Sequence, residues 1–189
     1  MKNKLTLTLI LIQQWFTATF KGIKKEEYRA ITPYWAKRLL CMENGDSLTK
    51  CYSEETIAFI TIYLLDFKSF GLASVDEVLE IFHIRFKDIE STDFRNGYKS
   101  LNKVPRFIIE NKGITIGKGN PDWGYVGDKN VFIIHHGEII EQFNIDNIPA
   151  LFLPSNEKEL EEFNEKYKDF DFKLKDKHID AKAIIEGKF

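Results

Sequence analysis

The sequence predicts an α+β fold, in which β-strands at both ends of a core flank a run of helices. Residues 5–12, LTLTLILI, alternate and are rich in residues that suit a pleated sheet, which predicts a strand. Residues 53–87 instead repeat apolar residues at helical spacing behind two serine caps. From about residue 92 the pattern typical of strands returns. With 189 residues, 43% of them hydrophobic, the chain can bury a substantial core.

Two short helices bracket a charged segment near the N-terminus. The first covers residues 13–21, where aromatic residues and threonines recur four positions apart, and Gly22 supplies a left-handed end. The second begins at Thr32 and Pro33, an N-cap followed by a proline at the first helical position. This second helix is expected to run to about residue 40.

The segment between these helices, residues 24–31, is predicted to be extended. On a strand, Glu27 and Arg29 share one face, and Lys24 lies on the other. A lysine near a carboxylate can act as a base or nucleophile if burial lowers its pKa. An arginine near that carboxylate can orient it or bind a phosphate. The simpler alternative is a charged edge strand with solvated side chains.

Two helices in the middle of the chain form a predicted acidic hairpin over residues 53–87. Ser53 caps the first, which is expected to end near Gly71, although its β-branched interior leaves a strand possible. Ser74 and Glu77 form a capping box that begins the second. Its apolar stripe follows at helical spacing: Val75, Val78, Leu79, Phe82 and Phe86.

The second group of strands begins with a predicted hairpin. Residues 107–110 and 114–117 are its strands, and NKG at 111–113 is its turn. A glycine-rich loop at 118–128 then carries Trp123, and another strong strand follows at 130–137.

Charge is distributed unevenly along a chain whose net charge is −2. Residues 1–40 carry eight Lys/Arg against two Asp/Glu, and residues 92–120 carry six against two. Residues 41–91 carry four against ten. The two basic blocks could converge in space and attract phosphate. Because the whole chain is not basic, tight nonspecific binding to duplex nucleic acid is not expected.

The sequence contains no metal-binding or disulfide pattern. Cys41 and Cys51 form no CxxC pair, which indicates reduced thiols in a cytoplasmic protein. The four histidines fit no zinc spacing, since His135 and His136 would point to opposite faces of a strand. No metal and no cofactor is expected. The apolar run at 5–12 lacks a small-residue cleavage site, and no stretch is long enough to span a membrane.

Two blocks of the sequence resemble ASCH domains. Residues 15–39, WFTATFKGIKKEEYRAITPYWAKRL, are similar to the opening of these domains, an aromatic helix followed by G-x-K-x-x-[T/E]-x-R. Residues 96–139, with a PxWG turn and a final strand, are similar to the second half. The resemblance implies a PUA-like mixed β-barrel with surrounding helices and a cleft, related to RNA-binding and modified-base-binding domains.

On this basis the chain is interpreted as a single ASCH-like domain, residues 1–189. Its core covers about 5–40 and 92–139. Residues 41–91 are an insertion, helical over about 53–90, and residues 140–189 are a C-terminal extension. The extension is expected to contain a charged helix near 156–168 and an edge-like strand at 170–175.

The resemblance also points to site residues. Lys24 and Arg29 match the family's lysine and arginine, while Glu27 stands where amidohydrolase-type members have a catalytic threonine. With Trp15 and Trp123, these three residues are predicted to line a cleft for single-stranded RNA or a nucleotide-like small molecule. A core or lid position is the simpler alternative for Trp123.

Two other functions stay open from the sequence. One is a hydrolase acting on a modified nucleoside amide or on RNA, in which Lys24 is the base or nucleophile and Glu27 its proton partner. The other is an interaction module, in which the acidic hairpin at 53–87 docks a protein partner through an exposed apolar stripe.

Overall fold

The described part of the chain has an α+β fold, in which a five-stranded mixed β-sheet is the main sheet. The computed structural model describes residues 5–97, 103–125 and 127–145, which fall in the first of two compact units, residues 1–149 and 150–189. In chain order the strands are β1 (Leu5–Leu11), β2 (Glu26–Ala30), β3 (Leu40–Met42), β4 (Ile84–Phe86), β5 (Ile89–Asn96), β6 (Arg106–Gly117) and β7 (Val131–Phe143). The α-helices are α1 (Gln13–Phe20), α2 (Pro33–Leu39), α3 (Leu48–Cys51), α4 (Glu54–Leu65) and α5 (Val75–Ile81), and 3-10 helices cover Phe67–Phe70 and Pro121–Trp123.

The main sheet is open, and this corrects the expectation of a closed barrel. Its order is β1-β5-β6-β7-β2, with β1 parallel to β5 and the other pairs antiparallel. Within the described residues, β1 and β2 are the two edges and do not pair with each other. At the β1 edge, one backbone carbonyl group is hydrogen-bonded by a side chain, because Arg38 Nη2 donates to the Thr8 oxygen at 3.2 Å. The short β3 and β4 form a separate antiparallel pair.

One face of the main sheet carries an aromatic core. The ring of Phe107 on β6 lies 4.9 Å from Phe16 and 5.4 Å from Phe20, both on α1. Phe94 on β5 packs on the same ring at 5.3 Å. Phe16, Phe94 and Phe107 are fully buried. This packing explains why α1 is stable at only eight residues, since tertiary burial rather than propensity supports short helices.

The predicted helix starts are confirmed. Thr32, Ser53 and Ser74 each accept a hydrogen bond from the backbone N–H three residues on, as N-caps do. Gly22 follows α1 in the left-handed region, with φ +70°. The cap chemistry in the sequence therefore located where these helices begin and where α1 ends.

The ends of α4 and α5 differ from prediction. α4 ends at Leu65, and a separate 3-10 turn continues to Gly71, whose φ is +77°. α5 ends at Ile81, because His83 adopts a left-handed φ of +48° that an α-helix does not allow. Phe86 therefore lies on β4 rather than on the helix.

The apolar stripe of α5 faces the core. Val78 is fully buried, and Leu79 and Phe82 are partly buried against the core cluster. These side chains are therefore not the exposed stripe that the interaction-module hypothesis required.

The predicted hairpin at 107–117 is wrong. β6 is one continuous strand that pairs with β7 on both sides of residues 111–113. The turn-prone NKG residues make the strand irregular instead of ending it. The register with β7 shifts between Ile109 and Ile114, and Gly113 has a φ of +118°. A thirteen-residue β7 offers partners along the whole of β6, which a local turn does not. The predicted helix at 156–168 and strand at 170–175 lie outside the described residues.

Candidate functional site

A buried cluster of charges forms where α1 leads into β2. After Gly22 the chain turns, and the backbone N–H of Lys24 donates to the Ala18 oxygen at 3.1 Å. Lys24 Nζ donates to Glu27 Oε2 at 2.9 Å, and Arg29 Nη1 donates to Glu27 Oε1 at 2.6 Å. Lys24 is 3% exposed and Glu27 4%. One buried carboxylate therefore holds two cationic side chains.

The strand geometry of this segment is partly as predicted. Glu27 and Arg29 share a face of β2, which is confirmed by their common contact. The predicted placement of Lys24 on the opposite face is wrong, because β2 begins only at Glu26 and Lys24 precedes it. The turn before the strand brings its ammonium group to Glu27 instead.

Aromatic rings enclose the two cations. Lys24 Nζ lies 4.7 Å from the centroid of the Trp15 ring and 5.3 Å from that of Tyr28. The guanidinium carbon of Arg29 lies 5.0 Å from the Trp35 ring. Cations within about 6 Å of an aromatic face are attracted by its quadrupole, and more strongly when they are desolvated. The sequence predicted Trp15 as a site residue, but not Tyr28 or Trp35.

The glycine-rich loop at 118–128 lies beside these rings. Its Asn120 backbone N–H donates to the Tyr28 hydroxyl at 3.0 Å. A side chain at Gly124 would overlap the Trp15 indole, so only glycine allows this approach. Trp123 itself is partly exposed, and in the described part of the chain its indole makes no ring contact and no cation contact. The structure thus joins Trp15 to the cluster and places Trp123 on the adjacent turn.

His136 is a member of this cluster that the sequence did not reveal. Its Nδ1 lies 3.4 Å from the Lys24 carbonyl oxygen, and its ring packs on Phe94 at 5.1 Å. A carbonyl can only accept, so we assign the proton to Nδ1 and the lone pair to Nε2. The sequence predicted that His135 and His136 point to opposite faces of the strand. This is confirmed, because His135 contacts Thr115 and not the Lys24 segment. His136 lies near Lys24 because β2 pairs with β7, and no local sequence pattern predicts that pairing.

Burial lowers the pKa of His136 to about 4, although the neighbouring Glu27 charge opposes this shift. The imidazole is therefore neutral at neutral pH. Burial alone would raise the pKa of Glu27, but the charges of Arg29 and Lys24 outweigh it and hold that pKa below its usual range. The site combines a carboxylate, two cations and a neutral base.

No match was found when the chain was compared with protein-family models, curated proteins and solved structures. The geometry of the cluster therefore carries the functional argument.

The cluster leaves hydrogen-bonding capacity unused. Within the described residues, two buried polar atoms of the cluster have no hydrogen-bond partner, Arg29 Nε and His136 Nε2, and Thr19 Oγ1 on α1 also has none. Buried polar atoms are nearly always paired, and leaving one unpaired costs roughly 1–3 kcal/mol. These atoms offer one donor, one acceptor and one hydroxyl beside a net positive charge. That combination is suited to a polar, anionic or aromatic ligand.

The described residues contain no candidate metal cluster and no candidate membrane-spanning helix. Nowhere in 5–97, 103–125 and 127–145 do three or more His, Cys, Asp or Glu side chains gather in a group suited to a metal ion. In the same ranges, no helix has the length and apolar character to cross a membrane.

Proposed function

We propose that this protein binds single-stranded RNA or a nucleotide-like small molecule at the cluster of Lys24, Glu27 and Arg29. The observation that carries the proposal is the set of unpaired buried atoms around a net positive group. Among Lys24, Glu27 and Arg29, two cationic side chains share one carboxylate, so these three residues carry one excess positive charge. A self-contained structural ion pair would balance its charges and use its donors.

The aromatic surroundings support a ligand with a flat ring. Trp15, Tyr28 and Trp35 already stand against the cations of the cluster. Unpaired bases stack on such side chains, and each stacked base contributes about 1–3 kcal/mol. Trp123, which is part-exposed and precedes Gly124 beside Trp15, would add a further stacking surface. The Arg29 Nε–H and the His136 Nε2 lone pair would then read polar edges of the ligand.

We also propose that the chain is related to ASCH domains and that its open sheet has a PUA-like arrangement. The proposal also includes a cytoplasmic location. Cys41 and Cys51 are both free thiols, which suits a reducing compartment.

Arg29→Lys is the sharpest test of this binding site. It keeps the positive charge near Glu27 but removes the unpaired Nε–H and the planar fork. We expect short single-stranded RNA or a nucleoside to bind the variant about tenfold more weakly, as measured by fluorescence anisotropy or calorimetry at about 50 mM salt. Lys24→Ala should weaken binding at least as much.

Lys37→Ala is the matched control for Lys24→Ala. Lys37 pairs with Glu54 at the surface, 2.9 Å away, so its loss removes the same charge without touching the cluster. Its affinity should equal that of the unaltered protein. The proposal fails if the unaltered protein binds none of these ligands, or if Lys37→Ala weakens binding as much as Arg29→Lys.

Hydrolysis of a modified nucleoside amide or of RNA is the second candidate function. The observation in its favour is the 2.9 Å hydrogen bond between Lys24 and Glu27, which suits proton exchange between them. A neutral His136 beside them adds a proton acceptor. For Lys24 to attack a carbonyl, however, its ammonium group must first lose a proton, because it has no free lone pair while it is paired with the Glu27 carboxylate. This requirement is why we place binding ahead of catalysis.

A screen of acylated nucleosides and short RNAs tests the hydrolase. Product formation should be abolished in Lys24→Ala and reduced by about two orders of magnitude or more in Glu27→Gln, as expected when a general acid–base is lost. Activity that persists unchanged in Lys24→Ala would exclude this assignment.

A further inference from the structure

A second charged cluster lies on β5 and β6. Asp93 Oδ2 accepts hydrogen bonds from Arg95 Nε at 2.9 Å, from Arg95 Nη2 at 2.6 Å and from Arg106 Nη1 at 3.4 Å. The guanidinium carbon of Arg106 also lies 3.9 Å from the centroid of the Phe143 ring. Asp93 thus orients both arginines, and Phe143 also packs against Arg106.

This cluster is on the sheet face opposite to the buried Lys24 cluster. Phe94 packs on Phe107 and on His136, so its side chain belongs to the core face. Asp93 and Arg95 flank Phe94 along β5, and neighbouring residues of a strand point to opposite faces. The two clusters therefore do not share a ligand.

The arrangement of charges is unusual for a structural ion pair. Arg95 and Arg106 are direct partners across two antiparallel strands, where like charges repel. One carboxylate holds both, yet all of its hydrogen bonds go to Oδ2. In the described part of the chain, the buried Oδ1 accepts none. Asp93 thus orients two guanidinium groups but balances only one of their two positive charges.

The arginines are open to solvent while the carboxylate is not. The side chains of Arg95 and Arg106 are 26% and 23% exposed, against 5% for Asp93. An approaching ligand therefore meets guanidinium N–H groups. Along the sequence, residues 95–106 contain four Lys/Arg and no Asp/Glu.

We propose that Arg95 and Arg106 bind a phosphate group, presented either as free phosphate or as part of a nucleotide. Planar guanidinium groups match phosphate oxygens with paired, charge-assisted hydrogen bonds. Asp93 and Phe143 hold both groups in place beforehand, which reduces the entropy lost on binding. This site is independent of the function proposed for the Lys24 cluster.

NMR of the arginine Nε–Hε groups tests the site directly. The full chain is titrated at constant ionic strength with inorganic phosphate, adenosine 5′-monophosphate, adenosine and acetate. We expect saturable shifts of the Arg95 and Arg106 signals with the two phosphate compounds, and none with adenosine. If adenosine 5′-monophosphate binds more tightly than phosphate, the natural source is a nucleotide; equal affinity indicates free phosphate.

Variants separate this site from general attraction of anions. Arg95→Gln and Arg106→Gln should each weaken phosphate binding about tenfold, the effect of losing a charge-assisted hydrogen bond. Arg85→Gln removes the same charge from a surface pair with Asp88 and should have no effect. Lys24→Ala should leave the shifts at Arg95 unchanged. The proposal is overturned if phosphate causes no saturable shift, if acetate binds as tightly, or if Arg85→Gln weakens binding equally.

Discussion

Glu27 is the residue on which the buried cluster depends. Its two carboxylate oxygens each hold a different cation, Lys24 on one side and Arg29 on the other. Without the Glu27 charge, the positive charges of Lys24 and Arg29 would have no carboxylate between them. The Lys24 and Glu27 side chains are both almost completely buried. Breaking a buried pair by removing one partner is far more costly than removing the whole pair.

We therefore expect Glu27→Gln to lower the free energy of unfolding by roughly 3 kcal/mol. The substitution keeps the shape of the side chain, so the loss reports the charge. Urea denaturation followed by circular dichroism measures it. Glu54→Gln, in the exposed pair with Lys37, is the control and should cost less than about 1 kcal/mol. Equal losses in the two variants would mean that the cluster is no more strongly coupled than a surface pair.

The depressed pKa of His136 predicts how stability depends on pH. In the folded protein the imidazole stays neutral down to about pH 4, whereas in the unfolded chain it takes up a proton near its ordinary value of 6.5. Between these values the unfolded state binds more protons, so stability falls as the pH is lowered. The total loss is on the order of 2–3 kcal/mol by pH 4.

Unfolding free energies measured from pH 7 to pH 5 isolate this contribution. Glu27, whose pKa is lowered in the fold, contributes stability above its unfolded value of 4.5, and this is lost only at more acid pH. His136→Asn should flatten the profile between pH 7 and 5. A slope that His136→Asn leaves unaltered would exclude His136 as its source.

At the scale of secondary structure, the site depends on a contact between α1 and the glycine-rich loop. Gly124 adopts a left-handed φ of +84° and lies against the Trp15 indole. Gly71 is also left-handed, with φ +77°, but an added Cβ there would meet nothing within 4 Å. The two glycines therefore allow backbone strain to be separated from steric overlap.

Gly71→Ala should lower the free energy of unfolding by roughly 1 kcal/mol, the cost of a left-handed non-glycine residue. Gly124→Ala should lose that amount and a further 1–3 kcal/mol or so, because the methyl group displaces the Trp15 indole. Urea denaturation measures both, and ligand affinity should fall only in Gly124→Ala. Equal destabilisation of the two variants would show that the loop does not hold Trp15.

The helices and strands differ in how well the sequence predicts them. Caps such as Thr32 and Ser74 are local, because the side chain and its partner are three residues apart, and they predicted helix starts correctly. The NKG turn was equally local and failed, because pairing with β7 overrode it. Long-range strand pairing leaves no local pattern, so neither the open sheet nor the true extent of β6 could be derived.

The same distinction holds for the site. Lys24, Glu27 and Arg29 lie within six residues of one another, so the sequence could bring them forward together as candidate site residues. His136 joins them only because β2 pairs with β7, in a register that places Glu27 opposite Ile134. Trp35 reaches Arg29 through the start of α2, a tertiary contact that sequence periodicity does not encode.

For the whole molecule, electrostatics favours a local site over a basic surface. The net charge is −2, so long-range attraction of nucleic acid is weak. Binding of RNA would then depend on the few cations of the cluster and on stacking. Stacking on aromatic rings does not release counterions, whereas each neutralised phosphate does.

This balance predicts a shallow dependence of RNA affinity on salt. For single-stranded RNA, the plot of log affinity against log salt should have a slope between about −0.7 and −1.4, which corresponds to one or two phosphates. Anisotropy titrations over a range of potassium chloride concentrations measure the slope. Lys24→Gln should make it shallower by about 0.7, because one cation is lost.

Lys37→Gln, which removes an exposed cation outside the cluster, should leave the slope unchanged. A slope of about −4 or steeper would require a broad basic surface and would contradict a local site. If affinity does not depend on salt concentration but is lower in Arg29→Lys, the ligand is an uncharged nucleoside held by stacking and hydrogen bonds. The salt slope therefore distinguishes which half of the proposed ligand, phosphate or base, the cluster recognises.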